Sequence, residues 1–73
     1  MANALQDQLA EVLLDRIRRD NYPSGTHMDL LESVASPRMR VQFAFDLMQR
    51  IQNDPHPSIP MIRRVQRLIG EFR

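Results

Sequence analysis

Apolar residues recur along this chain at intervals of three and four positions, which is the spacing of one face of an α-helix. In the first segment they stand at Leu5, Leu9, Val12, Leu13 and Ile17. A short second segment carries them at Met28, Leu31, Val34 and Ala35. The last segment carries them at Met61, Ile62, Val65, Leu68, Ile69 and Phe72. Together with a third apolar segment, "MRVQFAFDLMQRI", the pattern predicts an all-α fold of four short helices.

The first helix has a start signal and a stop signal. Asn3 is a suitable N-cap, and Gln6, three residues later, completes a capping-box pattern. Pro23 disfavours the helical conformation at the residue before it, so we expect the helix to end near Asp20.

The other three helices are predicted to begin at serines, whose hydroxyls accept from a backbone N–H two or three residues on. Ser24 caps the second helix. Ser36 caps the third, with Pro37 at its first position, where the missing N–H costs nothing. The third helix runs to about Asn53. Ser58 caps the fourth, which tolerates a proline at position 60 in its first turn.

The chain repeats itself with a shift of 34 residues, which aligns residues 3–34 with 37–68. Identical pairs fall at Gln8/Gln42, Ala10/Ala44, Leu13/Leu47, Arg16/Arg50, Ile17/Ile51, Asp20/Asp54, Pro23/Pro57 and Ser24/Ser58. The shared Asp-x-x-Pro-Ser ends one helix, turns the chain and caps the next. Because matches of this kind are typical of a duplicated supersecondary unit, we predict two tandem helix-turn-helix repeats (αα-hairpins). They would form a small bundle, as one domain spanning residues 1–73.

Equivalent positions of the two long helices are predicted to form the core. They are Leu9, Leu13 and Ile17 in the first helix and Phe43, Leu47 and Ile51 in the third. The third helix carries a second apolar stripe as well, at Val41, Phe45 and Met48. A surface helix needs only one such stripe. Either this helix is central and wrapped by the other three, or the second stripe binds another protein or a second copy of the chain.

Charge is distributed unevenly. Residues 1–35 carry six acidic and three basic side chains, for a net charge of −3. Residues 36–73 carry three acidic and seven basic side chains, for +4. All ten basic residues are arginines, which is typical of a GC-rich genome. The alternative explanation is bidentate recognition of carboxylate or phosphate. We expect a bacterial protein.

The basic side chains of the fourth helix suggest an alternative function. Arg63, Arg64 and Arg67 could contact phosphates if this helix entered a major groove, with Gln66 at a base edge. The overall charge of only +1 and the acidic first half disfavour nucleic-acid binding. A solvated charged face is the simpler interpretation.

The sequence gives no support for metal, cofactor or catalytic chemistry. The two imidazoles, His27 and His56, are distant from each other, and there is no cysteine. The two glycines, Gly25 and Gly70, do not make a phosphate-binding loop. Arg16 and Asp20, like their repeat equivalents at 50 and 54, have the spacing of helix-end ion pairs. Each Asp could instead accept from amides of its turn.

Length and composition favour a protein that acts through a partner. A chain of 73 residues supplies only a few kcal/mol of net stability from one core. We find no secretory signal and no apolar run long enough to span a membrane. We therefore predict a cytoplasmic, non-catalytic interaction or self-assembly module, an accessory or adaptor protein that forms a homodimer. A small nucleic-acid-binding regulator is the alternative.

Overall fold

The computed structural model describes residues 4–72, and within that range the regular secondary structure is entirely helical. The helices are α1 (Ala4–Arg19), α2 (Gly25–Val34), α3 (Pro37–Asn53) and α4 (Ile59–Gly70). The all-α prediction and the predicted order of four helices are confirmed. The N-cap predicted at Asn3 lies outside the described residues.

The four helices form two hairpins, in which α1 packs closely on α2 and α3 packs closely on α4. One compact unit of the chain ends at Met39 and the next begins at Arg40. The ends of α1 and α3 differ by 34 positions, as do the starts of α2 and α4. The prediction of two tandem αα-hairpins is confirmed.

Both corners are built around a serine in extended conformation. Ser24 has φ −72° and ψ 145°, and its Oγ accepts from the His27 N–H at 3.0 Å. Ser58 has φ −71° and ψ 133°, and its Oγ accepts from the Met61 N–H at 3.2 Å. Tyr22, which lies in the first corner, is 93% exposed. Both serines are the N-caps that the sequence predicts.

The third predicted cap is also present. The Met39 N–H donates to Ser36 Oγ at 3.3 Å, and Pro37 is the first residue of α3. This side chain satisfies an amide that a helix start would otherwise leave without a partner.

The two corner aspartates take different structural roles. Asp20 lies 3.6 Å from the Nε of Arg16, one turn earlier on α1. Asp54 instead accepts from the backbone N–H of His56 at 2.9 Å. Each of the two roles expected for these residues is therefore observed, one at each corner.

The core prediction is correct for part of each long helix. In the first unit the buried hydrophobic residues are Ala10, Leu14, Ile17, Met28 and Leu31. In the second unit they are Phe43, Ala44, Leu47, Val65 and Leu68. Of the predicted core positions, Ile17, Phe43 and Leu47 are therefore confirmed, whereas Leu13 and Ile51 are half-buried.

The prediction that Leu9 belongs to the core is wrong. Its side chain is 47% exposed, and its neighbours on the same face, Leu5 and Val12, are 72% and 64% exposed. The helix instead buries Ala10 and Leu14, which lie about a third of a turn away. The exposed face with Leu9 and the buried face with Ala10 are both apolar. On the buried face, the small side chain of Ala10 allows another backbone to approach closely.

Some repeat equivalents differ in burial, although the long helices end, and the short helices begin, at equivalent positions. Leu9 is exposed where its equivalent Phe43 is fully buried, and Leu14 is buried where its equivalent Met48 is exposed. Ala10 and its equivalent Ala44 are both buried, so the buried faces of the two long helices overlap but are rotated relative to each other about the helix axis.

Candidate protein interaction surface

One face of α3 carries three exposed apolar side chains. Val41, Phe45 and Met48 are 41%, 59% and 38% exposed. Their spacing of four and then three residues places them on a single face. We call these three residues the α3 stripe. Because Phe43 and Leu47 on the same helix are fully buried, α3 is apolar on two faces, one internal and one at the surface.

An ion pair ties the start of α3 to the end of α4. The Arg40 Nη1 donates to the Glu71 Oε2 at 2.6 Å, and these side chains are 26% and 39% exposed. Glu71 directly follows α4 and keeps a helical backbone, with φ −72° and ψ −17°. The pair joins opposite ends of the two helices and so supports their antiparallel packing.

A second exposed apolar face lies on α1. It consists of Leu5, Leu9 and Val12, the residues whose exposure is given above, and we call it the α1 stripe. Its spacing is also four and then three residues. Sequence reasoning missed this surface because it assigned Leu9, the central residue, to the core. The sequence does contain a signal for it, since Ala10, Leu14 and Ile17 form another apolar face on the same helix, which could be buried in place of the face with Leu9.

The fourth helix also exposes more apolar surface than its pattern suggested. Only Val65 and Leu68 are buried. The exposed large side chains at this end of the chain are Ile59, Ile62, Ile69 and Phe72. The apolar pattern of α4 is therefore wider than one helix face, as is the pattern of α3.

The basic side chains of α4 are not equally accessible. Arg63 and Arg67 are exposed and lie one turn apart on the same face, whereas Arg64 is half-buried. Arg64 and Arg67 interact with other groups of the chain. The three arginines therefore do not form one uniform cationic surface.

The two histidines are separated in the fold. His27 lies in the first turn of α2, where its Nδ1 is buried without a hydrogen-bond partner. His56 is exposed in the second corner. Among residues 4–72, no three His, Cys, Asp or Glu side chains come together in a group that could hold a metal ion.

No protein-family model, curated protein or solved structure matches this chain. None of the helices between residues 4 and 72 has both the length and the apolar character that crossing a bilayer requires.

Proposed function

We propose that this chain is a non-catalytic protein-interaction module that associates with a second copy of itself, serving as an accessory or adaptor protein of the bacterial cytoplasm. The observation that carries the proposal is the exposure of the α3 stripe, with Phe45 59% exposed at its centre. Removing apolar surface from water favours association by about 25 cal/mol for each Å² buried. A partner that covers the stripe would gain this free energy without any change in the core.

Charge supports a second copy as the partner. Residues 1–35 carry −3 and residues 36–73 carry +4. An antiparallel dimer with two-fold symmetry sets the acidic half of one copy against the basic half of the other. This arrangement mainly fixes orientation and association rate, while the apolar stripe supplies affinity. Two-fold symmetry is also the commonest closed symmetry of small oligomers.

Sedimentation of the parent protein at tens of micromolar tests the proposal. We expect a dimer that dissociates on dilution. Phe45→Glu is expected to give a folded monomer, because the charge damages the contact surface and not the core. A parent protein that sediments as a monomer at every concentration would rule out self-association.

Leu30→Glu is the matched control. Leu30 is 50% exposed on α2 and lies outside both stripes, and the substitution introduces the same negative charge. We expect this variant to dimerise like the parent. Equal loss of the dimer in both variants would show that added charge, and not the α3 stripe, controls association.

Nucleic-acid binding is the second candidate, favoured by the exposure of Arg63 and Arg67 in the basic half of the chain. Double substitution of these residues to Gln should then abolish binding to a duplex of mixed sequence. Such binding also falls steeply with salt, since phosphate contacts release counterions. Association through the apolar stripe should change little over the same salt range, which separates the two candidates.

A further inference from the structure

We infer that the α3 stripe of one copy is covered by the α1 stripe of a second copy. This inference rests on the proposed self-association and names the contacting surface. It concerns six residues, three on each helix: Leu5, Leu9, Val12, Val41, Phe45 and Met48.

The two stripes match in spacing and in length. In each, apolar side chains follow one another at intervals of four and then three residues. Each stripe therefore extends about 10 Å along its helix, from a rise of about 1.5 Å per residue. Alternating steps of four and three are the pattern by which two helices interlock apolar side chains along a common seam. Leu9 and Phe45 are the central residues, so they meet whether the helices run parallel or antiparallel.

The exposed area of both stripes together is close to the minimum for a specific interface. Leu5, Leu9 and Val12 are 72%, 47% and 64% exposed, and the α3 stripe adds 41%, 59% and 38%. Complete burial of these six side chains would remove about 500 Å² of apolar surface from water per copy, or about 1,000 Å² per dimer, which is near the lower limit for specific interfaces. Covering only one stripe per copy would leave the area well below that limit.

Charge favours pairing of unlike stripes. The α1 stripe belongs to the unit that ends at Met39, and the α3 stripe belongs to the unit that begins at Arg40. Residues 1–39 carry a net charge of −2 and residues 40–73 carry +3. Pairing α1 with α1, or α3 with α3, would bring units of like charge together, whereas pairing α1 with α3 joins opposite charges.

Two-fold symmetry then uses both stripes of both copies. The α1 stripe of the first copy contacts the α3 stripe of the second, and the same contact recurs in the opposite direction.

The first test is Leu9→Glu, analysed beside Phe45→Glu and the Leu30→Glu control. An unpaired charge at a buried contact should weaken dimerisation about 100-fold or more. We therefore expect Leu9→Glu to be a folded monomer, with a far-UV circular dichroism spectrum like that of the parent. If Leu9→Glu dimerises normally while Phe45→Glu is monomeric, self-association stands and this pairing is wrong. If the parent itself is monomeric, the proposed function fails first.

The second test mixes two charge variants of opposite sign. Leu9→Glu and Phe45→Arg are each expected to be monomeric alone. In a mixed dimer, the introduced Glu at position 9 of one copy meets the introduced Arg at position 45 of the other. The second contact pairs the unsubstituted Leu9 and Phe45. We expect native mass spectrometry of an equimolar mixture to show a heterodimer at concentrations where neither variant dimerises alone. A mixture that contains only monomers would overturn the pairing of the α1 stripe with the α3 stripe.

Discussion

Ser24 and Ser58 stand 34 residues apart and cap their helices in the same way. Each Oγ accepts from the N–H three residues on, at 3.0 Å and 3.2 Å. Each backbone carbonyl accepts from the N–H four residues on, at 3.1 Å in both corners. The serine of the repeated Asp-x-x-Pro-Ser therefore gives the same cap twice, although one corner has Asn-Tyr and the other Pro-His between the Asp and the Pro.

Replacing Ser58 with Ala should lower the free energy of unfolding by about 1 kcal/mol, because an amide at the start of α4 loses its acceptor. Chemical denaturation followed by circular dichroism measures this change. Ser33→Ala is the control, since the Ser33 hydroxyl donates to the Leu30 carbonyl within α2. Alanine is the better helix former there, so the control should not destabilise. Equal losses in both variants would contradict the capping role.

Replacing Leu47 with Ala should destabilise the chain by about 2–5 kcal/mol, since the side chain is fully buried and its removal leaves a cavity. In a chain of this size, that loss can abolish folding. Leu30→Ala removes the same atoms from a half-exposed site and should cost less than about 1 kcal/mol. A Leu47→Ala variant that unfolds at the same denaturant concentration as the parent would contradict the burial of this face of α3.

The burial of α1 predicts opposite results for two of its leucines. Leu14 is 3% exposed and Leu9 is 47% exposed. In dilute protein, where self-association does not contribute, Leu14→Ala should cost about 2–5 kcal/mol and Leu9→Ala less than about 1 kcal/mol. Thermal or urea unfolding of the two variants compares them directly. The reverse order would restore Leu9 to the core and remove the α1 stripe from the surface.

The ion pair between Arg40 and Glu71 should contribute little to stability. Both side chains are partly exposed, and exposed pairs are typically worth about 0.2–1 kcal/mol. A double-mutant cycle with Arg40→Gln and Glu71→Gln isolates the pairwise contribution. We expect a coupling energy within that range that decreases as salt is added. A coupling of several kcal/mol would show that the pair is far more protected from water than its exposure indicates.

The helix ends could be read from the sequence because they are decided locally. A serine hydroxyl reaches an amide only three residues away, and a proline acts on the residue before it. The starts of α2, α3 and α4 follow from Ser24, Ser36 and Ser58 in this way. The pairing of the helices into two hairpins could be predicted from the repeat, because the same Asp-x-x-Pro-Ser corner follows each long helix.

The buried face of α1 could not be read in the same way. Leu9 and Leu14 both belong to apolar faces, and which face is buried depends on the packing of α1 against α2, which helical spacing alone does not specify. Alignment with the repeat gave the wrong answer for Leu9 because its equivalent is Phe43, which is large and fully buried. Ala10, also fully buried, carries too small a side chain to stand out in an apolar pattern, although a small residue permits close helix packing.

The position of Tyr22 determines how this protein can be followed by spectroscopy. It is the chain's single tyrosine, and there is no tryptophan. Because Tyr22 is 93% exposed, it is surrounded by water in the folded chain as well as in the unfolded one. Intrinsic fluorescence should therefore change little on unfolding, and far-UV circular dichroism is the appropriate signal. The same exposure makes position 22 suitable for a dye attached through Tyr22→Cys, since the chain has no other cysteine and the site lies outside the core and both stripes.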